Sequence, residues 1–320
     1  MALVGIAKLA AHSELLEAKS QVQYRELPGR SILNRTKPNM PFEWTVNPYR
    51  GCEFACRYCY ARYTHEFMEL GARDFDNLIY AKAAPAHLLR RELAHIDLRD
   101  RIAIGTATDP YQPAERRFGR TRAILEVFAR ERGRRVSITT KSDLIRRDLP
   151  LLLEIARANV LHINLTITTL DVRLARLLEP RAPRPDLRLD TVRLLADAGL
   201  RMGVFPNPVM PGITDGERQL DRLAKAARDA GAEHFGGGPL FLMPCAQQIF
   251  MPFLEREFPH LVDRYRRLYA RGAYLGSDYK AELRLRLERI RDRYGLSSSA
   301  AEYAPELSAV EEQPSLFPLQ

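Results

Sequence analysis

Apolar residues in this chain recur in two rhythms. Short runs, often β-branched, lie at EWTVNPY (43–49), RIAIGTATD (101–109), RVSITTK (135–141), VLHINLTIT (160–168), RMGVFPNP (201–208) and EHFGGGPLF (233–241). Between them lie stretches with apolar residues three and four apart, the period of a helix packed on one side. These cover 85–96, which starts on Pro85, 119–132, which stops at Gly133, 187–198, which stops at Gly199, and 215–230, which stops at Gly231. Proline in the first turn and glycine just past the last are the expected helix boundaries. Strands alternating with helices predict a parallel sheet with helices outside it. Six such strands predict an α/β fold built as a partial (β/α)6 TIM-type barrel rather than the closed eight-stranded form. Functional groups are then expected at the C-terminal ends of the strands and in the loops that follow them.

The flanks read differently. Residues 1–42 form an N-terminal leader or extension, irregular apart from one short helix, with the turn-rich PGRSILNRTKPNMP (28–41) as a loop. The barrel is expected over 43–245. Residues 246–296 read as a C-terminal helical region packed across the open side or bottom of the barrel. Residues 297–320 have the composition of a mobile tail.

Composition narrows the class. Apolar residues at 46% and charged residues at 28% are those of an ordinary globular protein. No run of eighteen apolar residues is present, which argues against a membrane-spanning helix. The N-terminal MALVGIAKLAAHSELLEAK lacks the basic region of a signal peptide. Three of the four cysteines are clustered, which is not a disulfide scaffold, and a reducing, cytoplasmic setting is expected. The net charge of +9 fits an acidic partner such as nucleic acid. With seven lysines against 42 arginines, the excess reads equally well as coding bias.

The sharpest chemical signal is GCEFACRYCY (51–60), which holds Cys52, Cys56 and Cys59. A structural zinc site uses four ligands, commonly in two separated pairs. Here His65, six residues on, or the distant Cys245 would have to complete the set. A cubane [4Fe–4S] cluster is held by thiolates, usually four. With three, one iron keeps a coordination position open for a substrate or cofactor.

C-x3-C-x2-C after the first barrel strand, with an aromatic residue before the last cysteine, resembles the radical S-adenosylmethionine (SAM) superfamily. Further stretches narrow the resemblance: RSILNR (30–35), NPYRGCEFACRYCYAR (47–62), GTATDPYQPAE (105–115), TTKSDLIRRDLPLL (139–152) and LEPRAPRPDLRL (178–189). Together they are similar to the DNA repair photolyase-like radical SAM proteins related to spore photoproduct lyase. The likeness covers roughly residues 28–295. It implies the radical SAM barrel with added C-terminal helices, a [4Fe–4S] cluster and SAM as cofactors, and an electron donor such as flavodoxin or ferredoxin. It also implies reductive SAM cleavage to a 5′-deoxyadenosyl radical that abstracts hydrogen from a substrate, with damaged DNA as the repair-like candidate.

Carried onto this sequence, the resemblance makes Cys52, Cys56 and Cys59 the cluster ligands and places Tyr60 near the adenine. Thr108 and Asp109 match a Ser/Thr-Asp pair that holds the SAM amino group and ribose. Lys141 matches a lysine that contacts SAM, and a point charge suits the carboxylate. On the fourth strand, alternation puts Asn164, Thr166 and Thr168 on one face. Thr166 and Thr168 are the SAM-binding candidates there, with Thr168 matched to a family serine. Glu179, Arg181 and Arg184 sit in a proline-stiffened loop that either reaches the site or forms surface ion pairs. PNPVMPG (206–212) is expected to shape the pocket, and His162 and His234 to be structural.

One position departs from the pattern. Where spore photoproduct lyase has a hydrogen-donating cysteine, this chain has Ala107, so direct spore-photoproduct repair is not implied. Cys245 is the remaining candidate donor. In the tail, Gln313, Leu316 and Phe317 of QPSLF resemble the peptide by which bacterial repair proteins bind the sliding clamp. Two other functions fit the same residues: radical modification of RNA, protein or a small molecule, and a non-enzymatic zinc- or cluster-bearing nucleic-acid-binding module.

Overall fold

The structure, a computed structural model, describes residues 3–18, 21–38 and 40–300. The clamp-like peptide at 313–317 lies outside these residues. The strands are β1 (Glu14–Ala18), β2 (Gln23–Leu27), β3 (Leu33–Arg35), β4 (Trp44–Val46), β5 (Tyr49–Arg50), β6 (Leu78–Lys82), β7 (Arg101–Ile104), β8 (Arg135–Thr140), β9 (Val160–Thr166), β10 (Arg201–Phe205) and β11 (His234–Phe235).

Seven strands form one sheet in the order β11-β10-β9-β8-β7-β4-β3. Every neighbouring pair is parallel except β3 with β4. Its six parallel strands are the six apolar runs of the sequence, in order. The sheet is open: β3 and β11 end it, and no pairing among the described residues closes the barrel. The helices Pro85–Leu93, Arg120–Phe128, Pro185–Asp197 and Glu217–Asp229 lie between the strands where the helical period placed them, joined by Leu149–Ala158.

Burial explains the local patterns. β9 is buried at six of its seven positions, as a central parallel strand covered on both faces should be. β8 alternates, with Val136, Ile138 and Thr140 buried and its other residues half-buried. The main core joins Ile102, Ile138, Ile163 and Val204 of the sheet to Leu125, Ile155, Leu195 and Leu223 of the helices. Each such side chain contributes roughly 1.5–3 kcal/mol by leaving water.

Below the site, Gly203 has a packing reason. It pairs with Asn164 on one side and His234 on the other. A Cβ there would lie 1.8 Å from His234 Nε2. Without it, the ring reaches across to Asn164 Oδ1 at 2.6 Å. Burial pushes this histidine down to about 4, so it stays neutral near pH 7, as a structural histidine should.

The N-terminal extension is more ordered than the sequence suggested. After the helix Gly5–Ala11, β1 and β2 form an antiparallel pair, and β2 adds in parallel to β6, giving a second sheet in the order β1-β2-β6-β5. That sheet backs the cysteine loop. At the other end, the helix Pro244–Glu257 packs Phe250, Phe253 and Leu254 into a second core with Cys52, Phe54 and Tyr58. The helix Ser277–Tyr294 sends Leu283, Leu287 and Ile290 into the main core beyond β11. No helix among the described residues is long and apolar enough to cross a membrane.

Candidate active site

A cavity of about 800 Å³ opens at the C-terminal ends of the parallel strands. Cys52, Cys56 and Cys59 line it together with Asp109, Lys141 and Thr166. All three thiols are free. Burial pushes each thiol up, Cys56 to about 12; repulsion from the other thiols adds to the effect at Cys52 and Cys56, while Arg62 and Lys141 oppose it at Cys59. Thiolates there require compensating positive charge, which iron supplies on binding. Among the described residues, no three His, Cys, Asp or Glu side chains converge as ligands of a single metal ion. The three thiols of a cubane do not need to converge, because each binds a different iron.

The loop carrying them is fixed by backbone contacts. Gly51 adopts φ +78°, and a Cβ there would lie 2.7 Å from the Leu78 carbonyl oxygen. The Cys52 amide donates to Phe75 O at 2.9 Å. Gly51 O accepts from Thr108 Oγ1 at 2.6 Å and Gln112 Nε2 at 3.0 Å, while Gln112 Oε1 accepts from the Glu53 amide at 2.9 Å. Arg62 is fully buried and ties the far end, donating to Cys56 O at 3.0 Å and pairing with Asp76 at 2.9 Å. Gln112 and Arg62 lie inside the motif stretches, but their roles depend on contacts with distant backbone that the sequence does not display.

Beside the thiols lies a charged network, with Asp109 acting on Cys52 and Lys141 on Cys56. Asp109 accepts from Thr140 Oγ1 at 2.6 Å, Lys141 N at 2.7 Å and Tyr111 N at 2.9 Å. Burial raises its carboxyl above the usual range despite these donors. Burial alone would lower Lys141, but the neighbouring Cys56, Glu179 and Asp109 raise it, so it is a fixed cation. Its Nζ stands 5.9 Å from the centre of the Tyr58 ring. Glu179 is buried, pairs with the buried Arg188 at 2.5 Å, and accepts from Tyr58 Oη and Thr168 Oγ1. Burial would raise its carboxyl, yet Arg188 and Lys141 hold it below the usual range.

The expected site residues therefore divide. Tyr60, Asp109, Lys141 and Thr166 line the cavity together, with Tyr60 Oη donating to Thr106 O. Thr108 lines it too, but its hydroxyl is committed to Gly51, which makes it a positioning residue. Thr168 is displaced from its expected place. β9 ends at Thr166, so alternation does not extend two residues further. The Thr168 hydroxyl joins Glu179 at 2.7 Å instead.

His65 is not a fourth ligand: it is buried against Phe75 and Tyr80, with Nε2 2.9 Å from Leu78 O. Cys245 is buried at the start of its helix with its thiol 3.9 Å from Tyr60 O, and it does not line the cavity. Arg181 braces the second sheet through Asp76 O and Asn77 Oδ1, both at 3.2 Å, and Arg184 forms an exposed pair with Asp186. Asn207 and Pro208 line the cavity after β10, as expected. Ala107 lines it as well, its amide donating to Asn47 Oδ1 at 2.8 Å, so the position matched to the donor cysteine faces the site without a thiol.

An open parallel sheet with a three-cysteine loop after its first barrel strand and a deep cavity above the strand ends defines the radical SAM class of enzyme. The profile of the radical SAM superfamily matches residues 46–224, and the chain belongs to this superfamily. Its cofactors are a [4Fe–4S] cluster and SAM, and its chemistry is SAM-dependent radical chemistry.

The chain is 38% identical over 293 residues to an uncharacterized protein of Mycobacterium tuberculosis, covering 90% of this chain and 86% of that one. It is 29% identical over 241 residues to an uncharacterized protein of Methanocaldococcus jannaschii, covering 75% and 85%. Among solved structures, a spore photoproduct lyase mutant with bound AdoMet and dinucleoside spore photoproduct superposes with TM-score 0.64 at 16% identity, covering 82% of this chain and 76% of that one. Another lyase mutant gives 0.65 at 17% identity, covering 85% and 79%. The likeness in fold is to spore photoproduct lyase.

Proposed function

We propose that this enzyme abstracts a hydrogen atom from a nucleotide of nucleic acid, with damaged DNA as the favoured substrate. Cys52, Cys56 and Cys59 hold three irons of the cluster and leave the fourth for SAM. Lys141 takes the SAM carboxylate, Asp109 and Thr166 take its amino and ribose groups, and Tyr60 packs near the adenine. When bound and reduced by a flavodoxin- or ferredoxin-class donor, the cluster and SAM supply one-electron cleavage of the sulfonium, giving methionine and a 5′-deoxyadenosyl radical that takes a substrate hydrogen.

The observation that carries the substrate class is the aromatic rim of the cavity. Tyr60 stacks on Tyr63 with centroids 6.4 Å apart and meets Phe241 at 6.0 Å. Tyr63 meets Phe67 at 5.5 Å, and Phe241 meets Tyr274 at 4.5 Å. Phe67 and Tyr274 are 61% and 67% exposed, a large apolar area to leave in water. Unpaired bases stack on such surfaces at roughly 1–3 kcal/mol each, and the net charge of +9 favours a polyanion. The lyase mutant that shares the fold was solved with bound dinucleoside spore photoproduct.

The test is anaerobic 5′-deoxyadenosine formation by the reconstituted, reduced enzyme with UV-irradiated DNA, intact DNA, RNA or peptide. Stimulation of about tenfold or more by irradiated DNA is expected. Stimulation by RNA alone moves the substrate to RNA, and stimulation by peptide alone overturns the nucleic-acid assignment.

A further inference from the structure

Buried cations in this fold are generally paired. Arg62 has Asp76, Arg188 has Glu179 and Arg134 has Glu131. The exception lies in the cavity wall. β5 and β6 are antiparallel with Arg50 opposite Tyr80 and Tyr49 opposite Ala81. The two-residue period of strands therefore puts Arg50 and Lys82 on the same face as diagonal neighbours. Both line the cavity.

Lys82 is only 9% exposed, and among the described residues its Nζ has no hydrogen bond or ion pair. The carboxylate that attracts it, Glu92, is occupied with the backbone amides of Ile32 and Leu33 at 2.8–3.2 Å. Arg50 donates once, to Thr64 O at 3.3 Å, and its buried Nε has no partner. Burial and the nearby Arg50 pull Lys82 down to about 7, the mark of a cation lacking its counter-ion.

We propose that Arg50 and Lys82 form a phosphate-binding subsite that holds a phosphate of the nucleotide whose base stacks on the aromatic rim. This rests on the nucleic-acid reading above and specifies where the backbone is gripped. Two adjacent cations with unused donors match a group carrying negative charge on several acceptor oxygens, and charge-assisted bonds to such a group offset the cost of burying them. Tyr63 connects the two parts: its phenol interacts electrostatically with Arg50, and its ring stacks on Tyr60. A base at Tyr63 and its phosphate at Arg50 are thus within the reach of one nucleotide.

The experiment is fluorescence anisotropy with the reconstituted holoenzyme in the presence of SAM. The probe is labelled oligothymidylate of about ten nucleotides, within the length one site covers. Lys82→Gln is expected to weaken binding about tenfold and to lower the slope of log affinity against log salt by about 0.7, one phosphate's share. Lys82→Arg is expected to stay within about threefold of wild type, since it keeps the charge. On an uncharged methylphosphonate probe, wild type and Lys82→Gln are expected to bind alike. The cluster's absorbance and SAM affinity are expected to be unchanged.

Equal oligonucleotide binding by wild type and Lys82→Gln overturns the subsite and leaves the nucleic-acid reading standing. A shifted cluster spectrum or weakened SAM binding in Lys82→Gln also overturns it, because the cations then serve the cofactors. No oligonucleotide binding by wild type removes the nucleic-acid reading and the subsite together.

Discussion

Replacing Cys56 with alanine is expected to abolish cluster assembly and 5′-deoxyadenosine formation while the polypeptide remains folded. The three thiols share one wall of a buried cavity, and each contributes a separate ligand. With Cys56 gone, two protein ligands remain, and among the described residues no nearby His or Cys is placed to substitute. His65 is packed between Phe75 and Tyr80, and Cys245 is turned toward the Tyr60 carbonyl. Iron analysis after anaerobic reconstitution should fall from about four per chain, the content of one cubane, to near background. Cys245→Ala should keep both iron and SAM cleavage. Full iron content and undiminished cleavage in Cys56→Ala would remove Cys56 from the ligand set.

The second large effect is expected at Arg188, which is far from the motif cysteines in sequence but acts electrostatically on Cys56 in the fold. Arg188→Met leaves the Glu179 carboxylate buried without its 2.5 Å partner. Breaking a buried pair from one side typically costs about 3–5 kcal/mol, because the remaining charge is uncompensated. Lys141 provides only part of the balance, and the strain falls on Tyr58, whose hydroxyl donates to the same carboxylate. Anaerobic denaturant unfolding of Arg188→Met should show that loss. The double variant Arg188→Met/Glu179→Gln should recover most of it, since the orphaned charge is gone. If the double variant loses the sum of the two single losses, the residues are not coupled and the network does not support the cavity wall.

These residues also mark what the sequence could disclose. The six barrel strands were readable because each combines a short apolar run with flanking helical periodicity, and a parallel sheet requires both. The second sheet was not readable. β1, ELLEA, and β2, QYREL, lack a clean two-residue alternation and carry residues that favour helices; β2 is a strand on the edge that β6 offers, and β1 pairs in turn with β2.

The cysteines were visible because their spacing is local. Gln112 was not, because its task is to grip Gly51 and Glu53 some sixty residues earlier in the chain. Arg188 lies within the LEPRAPRPDLRL stretch, but only the fold sets it against Glu179. Thr168 failed by register: strand alternation was extended past the point where β9 ends.

The decisive measurement follows the hydrogen atom. UV-irradiated DNA deuterated in its nucleotides would be incubated with the reduced holoenzyme and SAM, and the 5′-deoxyadenosine analysed by mass spectrometry. If this cavity directs the radical onto nucleic acid, the 5′-deoxyadenosine will carry deuterium from the DNA. If DNA binds and 5′-deoxyadenosine forms without deuterium, its hydrogen came from elsewhere, and nucleic acid is not the substrate of this site.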